Sequence, residues 1–158
     1  MIRAYIMVFL VEKVDWSSAS QRLIELREKV FILEWQVPRE CEFDELDRQA
    51  VHIILSNQKG EAIATARLTQ DGEIGRVAIR IGYRNLTVYK KIFSVLVEHA
   101  RQNNIQRIAL SCNIASVDHH TRLGFRPTGQ AFMEAGVARQ IMSCPIGRFK
   151  LPDVTQLH

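Results

Sequence analysis

The stretch that most constrains this chain is Ile74–Asn104, IGRVAIRIGYRNLTVYKKIFSVLVEHARQNN. Ile74–Ile81 is rich in β-branched side chains and predicts a strand. Gly82-Tyr83-Arg84-Asn85 predicts a tight turn. From about Leu86 to Gln102 the apolar residues Tyr89, Ile92, Phe93, Leu96, Val97 and Ala100 recur at the spacing of one buried helix face. Lys90, Lys91, Glu98 and Arg101 lie towards the opposite face. A strand that feeds a helix through a short turn aims the helix's first free N–H groups at one point. The unpaired donors and the helix dipole together favour an anion there. A phosphate-bearing ligand, if the chain takes one, belongs at that turn. The unit alone does not establish this, because strand–turn–helix units occur in every α/β protein.

The rest of the chain supplies the elements around that unit. Ala4–Val11 is apolar but only eight residues long, too short to span a bilayer. It lacks a small-residue cleavage site and is followed by Glu12-Lys13, so it predicts a buried first strand rather than a signal peptide. Asp15, Ser17 and Ser18 offer caps for a helix carrying Leu23, Ile24, Leu26, Val30 and Phe31 and ending by Leu33 or Glu34. The polar, acidic stretch EWQVPRECEFDELDRQA follows, with Pro38 as a breaker and Asp44 and Asp47 placed to cap a short helix through Gln49. Val51–Ser56 and Glu61–Thr69 predict strands, which with the organising strand form an antiparallel meander. Ile105–Asn113 predicts a strand, and the helix before it makes the pair a parallel βαβ crossover. Ala115–Leu123 predicts a short helix closed by Gly124, and Phe125–Glu134 with Val137–Ser143 predicts a hairpin turning at Ala135-Gly136. Pro152–His158 predicts a loose tail. The order gives one α/β domain over residues 1–158, with a sheet of mixed pairing.

Composition narrows the function classes. Net charge is +4 and the basic residues are scattered, which permits an anionic ligand without suggesting nucleic acid. No nucleic-acid-binding motif and no membrane-spanning run is present. The three cysteines, Cys41, Cys112 and Cys144, have no zinc spacing and fit a reduced, cytoplasmic protein without a metal. Cys112 falls in an apolar strand and reads as core; Cys41 falls in a polar loop.

Four segments occur in order: LREKVFILEWQVPRECEFDELDRQAVHII, ATARLTQDGEIGRVAIRIGYR, RLGF and FMEAGVARQIM. Together they resemble the ElaA-like branch of the GNAT superfamily of acyl-CoA N-acyltransferases, over about residues 23–142. Val30, Phe31, Glu34, Val37, Pro38, Asp44, Asp47 and His52 stand in the family's first signature, and Trp35 replaces its usual Gln. The resemblance implies a GNAT-like, mostly antiparallel sheet of about six to seven strands flanked by helices. In it the strand Arg76–Ile81 splays from its parallel neighbour Ile108–Asn113. It implies acetyl-CoA as co-substrate, its pantetheine arm along Val77, Ala78 and Ile79, with Asn113 beside it. The pyrophosphate would rest on the turn Arg84, Asn85, Leu86, Thr87, Val88 and Tyr89. An amine of a small molecule or protein would attack the thioester directly in a ternary complex, and a hydroxyl on the helix after Asn113 would protonate the leaving thiolate.

Three departures from the family pattern fall in this implied site. The glycines of the turn are replaced by Asn85, Thr87 and Tyr89. Asn85 tolerates positive φ, β-branched Thr87 does so badly, and the Tyr89 phenol either fills the pyrophosphate space or swings into the core. The expected consequence is weakened CoA affinity. His120 replaces the family's acid Tyr and can serve as an acid near neutral pH. Arg139 replaces a titratable ring in the last hairpin. Proton acceptors for the amine are sought among Glu34, Asp44, Asp47 and Glu134, with capping the competing role for the two aspartates. Glu34, Arg67, Glu134 and Arg139 are the candidate substrate contacts, and Arg67, central in a small-residue strand, needs an acidic partner such as Glu34 or an Asp of the acidic loop. The alternative is a catalytically silent GNAT-fold module used for binding. Which amine, which acyl group and whether the chain forms a homodimer stay open at this level.

Overall fold

A computed structural model describes residues 9–34 and 43–151. Trp35, Val37, Pro38, Cys41, the start of the Ala4–Val11 segment and the Pro152–His158 tail lie outside these residues. The elements are β1 (Leu10–Val14), α1 (Trp16–Arg27), β2 (Val51–Ser56), β3 (Ala62–Leu68), β4 (Glu73–Ile79), α2 (Leu86–Gln102), β5 (Arg107–Asn113), α3 (Val117–Arg122), β6 (Arg126–Pro127), β7 (Phe132–Glu134) and β8 (Val137–Pro145). A π-helical stretch, Glu28–Glu34, continues α1, and a short 3-10 helix covers Glu45–Arg48.

The strands form one eight-stranded sheet, in the order β1-β2-β3-β4-β5-β8-β6 with β7 on β8. All pairings are antiparallel except β4 with β5. The expected meander and the expected parallel crossover are both present. Helix α2 lays Val88, Ile92, Phe93, Leu96, Val97 and Ala100 on one face of the sheet, where they join Ile53, Leu55, Ile63, Leu68 and Ile108 in the main core. Helix α1 covers the other face, packing Ala19 and Leu23 on Ile54. Covered on both sides, β2 and β3 read as runs of buried residues instead of alternating ones.

Local chemistry sets the boundaries. Asp15 caps α1 by accepting from Ser18 N–H at 2.8 Å. Asp44 and Asp47 form a reciprocal capping box at the Glu45–Arg48 turn. Gly82, with φ of 92°, makes the left-handed step of the β4–α2 turn. Asn85 is extended at φ −134° and serves as the N-cap of α2, so the positive φ that Asn tolerates is not used here. Its short polar side chain gains more by closing the helix end than by occupying a strained backbone region. The predicted strand Phe125–Glu134 is in fact two short strands, β6 and β7. Between them Gly129 turns with φ of 72°, and the Gln140 side chain donates to the carbonyls of Thr128 and Gly129.

The feature that shapes the site lies in β4. Arg67 of β3 pairs with Gly75, yet Thr65 pairs with Ala78. Two steps on β3 therefore match three on β4, which is a β-bulge. Arg76 sits in it with φ of 48°. Beyond this point β4 turns away from β5. Their register holds only at Glu73 with Ala109 and Ile74 with Leu110, whereas β5 keeps β8 along its whole length, Arg107 to Asn113. The parallel pair is splayed as expected.

Candidate active site

The gap left by the splay opens into a cavity of about 470 Å³. Strand β4 contributes Val77 and Ile79; the turn and first helical turn of α2 contribute Arg84, Asn85, Leu86 and Tyr89. Ser116, His119 and His120 close it from the α3 side, and Val30 from the continuation of α1. A second hollow of about 550 Å³ lies far from this gap, between the end of β1 and the last turns of α2, with Lys13 and His99 in its wall. It is of similar size, and it borders neither the splayed strands nor the start of α2.

Tyr89 is half-buried and turns along its own helix. Its ring stacks on Phe93 at 5.3 Å and meets His119 edge-on at 6.3 Å. It therefore forms a wall of the cavity without filling it. Burial, reinforced by nearby Cys112, raises the phenol's pKa above its usual value, so Tyr89 keeps its proton at neutral pH. Its hydroxyl has no hydrogen-bond partner among the described residues.

His120 is only 5% exposed. Its Nδ1 lies 2.8 Å from the Ser116 carbonyl, an acceptor, so Nδ1 carries the hydrogen. Burial holds its pKa below the ordinary 6.5, outweighing the Ser116 bond, and the neighbouring His119 adds to the lowering. The ring is therefore neutral near pH 7 and offers an Nε2 lone pair. That arrangement suits a proton acceptor better than the acid role expected for His120.

Glu34 and Arg84 meet at the rim. Arg84 Nη2 donates to Glu34 at 2.6 Å, and its Nε donates to the Ile79 carbonyl at 2.8 Å. The guanidinium pair formed with Glu34 raises the pKa of Arg84. Glu34 is thus an ion-pair partner at the mouth, not an unengaged base. Asn85 Oδ1 accepts from Val88 N–H at 3.0 Å.

The remaining candidates lie elsewhere. Ala78 and Val88 are buried, and Thr87 points outward, off the cavity lining. Asn113 accepts from Ala115 N–H at 3.0 Å and caps the turn that leads to α3. Arg67, 2% exposed, donates to Asp44 at 2.7 Å and Asp47 at 2.9 Å. Asp47 also binds Arg27 at 2.7 Å, and Arg76 of the bulge reaches Asp44 at 3.0 Å. Burial disfavours ionised Asp44 and Asp47, but the surrounding arginines outweigh it and hold both pKa values low. This is a structural network beneath the bulge, with Arg67 Nε buried and unpartnered among the described residues. Arg139 binds Ser111 Oγ at 3.0 Å and the Ser111 carbonyl at 2.8 Å, and pairs with exposed Glu134 at 3.4 Å, off the cavity lining. Val30, which the sequence places only on a helix face and in the family signature, lines the cavity together with Ser116 and His119, for which the sequence carries no signal.

Comparison with known proteins agrees with this geometry. A family model for the acetyltransferase (GNAT) domain matches residues 17–146. The uncharacterized protein YyaT of Bacillus subtilis (strain 168) is 26% identical over 144 residues, covering 87% of this chain and 97% of its own length. Among solved structures, Escherichia coli ElaA superposes with a TM-score of 0.76 at 21% identity, over 87% of this chain and 99% of its own. An acyl-CoA N-acyltransferase from Pseudomonas aeruginosa gives 0.74 at 19% identity, over 88% and 99%.

Proposed function

The chain belongs to the GNAT acetyltransferase domain family, and from that premise we propose that it is an acyl-CoA-dependent N-acyltransferase, moving an acyl group, with acetyl the first candidate, to an amine of a small molecule or protein. One observation carries the reading: β4 and β5 separate after Ile74 and Leu110, and a cavity with tuned proton donors and acceptors occupies the gap. The fit to a thioester arm is good. The cavity wall is largely apolar at Val77, Ile79, Leu86 and Val30, and β4 runs along it without a β5 partner. The donor supplies an activated acyl carbon on sulfur.

The chain's own residues supply positioning and proton traffic. Val77, Ile79 and Leu86 exclude water from the slot. His120 Nε2 accepts the proton that the amine sheds as its nitrogen bonds the acyl carbon. Tyr89 O–H gives a proton to the sulfur as the carbon–sulfur bond breaks. Amide and thiol leave, and solvent returns a proton from the His120 imidazolium to the Tyr89 phenolate. Two groups whose environments push their pKa values apart are a recognisable acid–base pair. A cytoplasmic location is part of this reading, supported by the free, buried thiols of Cys112 and Cys144. No helix among the described residues is long and apolar enough to cross a membrane.

The test is thiol release from acetyl-CoA against a panel of primary amines and amino-terminal peptides. Amine-dependent release that vanishes in Tyr89→Phe/His120→Gln supports the reading. Absence of release with every amine and of any thermal shift by CoA would leave a silent module with this fold.

A further inference from the structure

We infer that this site holds its acyl donor by the pantetheine thioester arm and, among the described residues, gives the donor's diphosphate no clasp of its own. The inference rests on the acyltransferase reading above and concerns which part of the donor is recognised.

Three sets of contacts at the rim of the cavity carry it. The first is the start of α2. A helix has four N–H groups without internal partners, and these make its N-terminus an anion site. Here Asn85 N–H already donates to the Tyr83 carbonyl at 3.0 Å, and Val88 N–H donates to the Asn85 side chain at 3.0 Å. Only the N–H groups of Leu86 and Thr87 are left, one of them on a β-branched residue. The second is charge. Arg84, the cation beside this turn, is bound to Glu34 at 2.6 Å, and its Nε is bound to the Ile79 carbonyl. A diphosphate arriving there meets a carboxylate already seated on the guanidinium. The third is the wall beside this turn. There Tyr89, its ring against Phe93 and His119, lines the slot with a neutral phenol and brings no cation to the rim. The interior of the slot is the opposite case. It is open, largely apolar, and bordered by a strand lacking its neighbour.

The chain has thus kept the slot for an uncharged, amide-bearing arm and occupied the cradle for its anionic end. The same arm is carried by free CoA and by an acyl carrier protein, and the chemistry at the slot is common to both.

Binding tests this without requiring turnover. Millimolar pantetheine and CoA should raise the melting temperature equally, and 3′,5′-ADP should leave it unchanged. A shift by 3′,5′-ADP alone, or a clearly larger shift by CoA than by pantetheine, overturns the inference and leaves the acyltransferase reading standing. Absence of a shift with all of them overturns both. In turnover, kcat/KM for acetyl-CoA should exceed that for acetyl-4′-phosphopantetheine by less than tenfold, the equivalent of about 1.4 kcal/mol. A tenfold or greater preference for acetyl-CoA overturns the inference. An acetylated carrier protein used at least as well as acetyl-CoA identifies the carrier as the source, and one used worse identifies free CoA; both agree with recognition of the arm. Asn85→Ala releases Val88 N–H and Glu34→Gln releases Arg84. In folded protein each should raise the preference for acetyl-CoA several-fold, and an unchanged preference in both overturns the argument.

Discussion

Replacing Asp47 with Asn removes a carboxylate that two buried guanidinium groups share. Asp47 is 1% exposed, Arg27 is 0% and Arg67 is 2%. Its Oδ1 lies 2.7 Å from Arg27 and 2.9 Å from Arg67. Removing one partner of a buried ion pair costs about 3–5 kcal/mol. Two features place this site at the lower end. Arg67 keeps Asp44, and the Asn amide oxygen still accepts one hydrogen bond. The rings of Phe43 and Trp16, with Arg27 at 4.8 Å and 5.8 Å, persist in both proteins and so cancel in the difference. The expected loss is about 3 kcal/mol, or roughly 6–12 °C in Tm for a domain of this size. Urea unfolding and calorimetry at pH 7 measure it. Glu12→Gln is the control, because Arg22 and Glu12 pair at the surface with side chains 47% and 35% exposed. Exposed pairs contribute about 0–1 kcal/mol. If Asp47→Asn costs no more than Glu12→Gln, the reasoning that burial makes this carboxylate indispensable is refuted.

Other outcomes follow from the same geometry. With His120 proposed as a neutral base, kcat/KM should fall as pH drops through a value below 6.5; His120→Gln should remove that limb and lower kcat by about 10²–10⁴-fold. Retention of the limb in the variant assigns it to another group. Tyr89→Phe should lower kcat while leaving pantetheine binding intact, and an equal loss of binding would make Tyr89 a wall only. Gly72→Ala should cost about 1–3 kcal/mol by chemical denaturation, since Gly72 has φ of 90° and an added Cβ meets the Arg107 carbonyl. Acid should unfold the protein in two stages. The folded pKa values of His52 and His120 lie below 6.5, and those of Asp44 and Asp47 below 3.8, so the unfolded chain takes up each proton first. Stability should begin to fall below pH 6.5 and fall again below pH 3.8, and a flat profile through both windows would contradict the burial of these groups.

Much of this architecture was legible in the residues because the core obeys simple periods. The span Leu86–Gln102 of α2 and the span Val51–Ser56 of β2 agree with their sequence patterns to the residue. Arg67's need for acidic partners also followed from its place in a small-residue strand, and Asp44 and Asp47 supply them. What escaped depends on contacts between distant segments. The division of Phe125–Glu134 rests on the Gln140 amide reaching Thr128 and Gly129 from another strand. The role of Asn85 was open to a local argument: an Asn directly before an apolar-periodic run is a helix cap. The pairing of Glu34 with Arg84 had no such signal, since fifty positions separate them. The place of Val30, Ser116 and His119 in the cavity became visible only when three elements met around one gap.

The supernumerary residue at Arg76 has a consequence for how the molecule responds to whatever it binds. Delete it, and β4 regains even parity with β3 and can zip onto β5 to its end. Such a protein would be tidier, with a finished sheet and no room inside. The natural chain instead leaves one seam of the fabric unsewn from Gly75 onwards. An amide-bearing guest laid in that seam acts as a missing strand, so its arrival should slow hydrogen exchange along β4 and β5 well before any chemistry occurs.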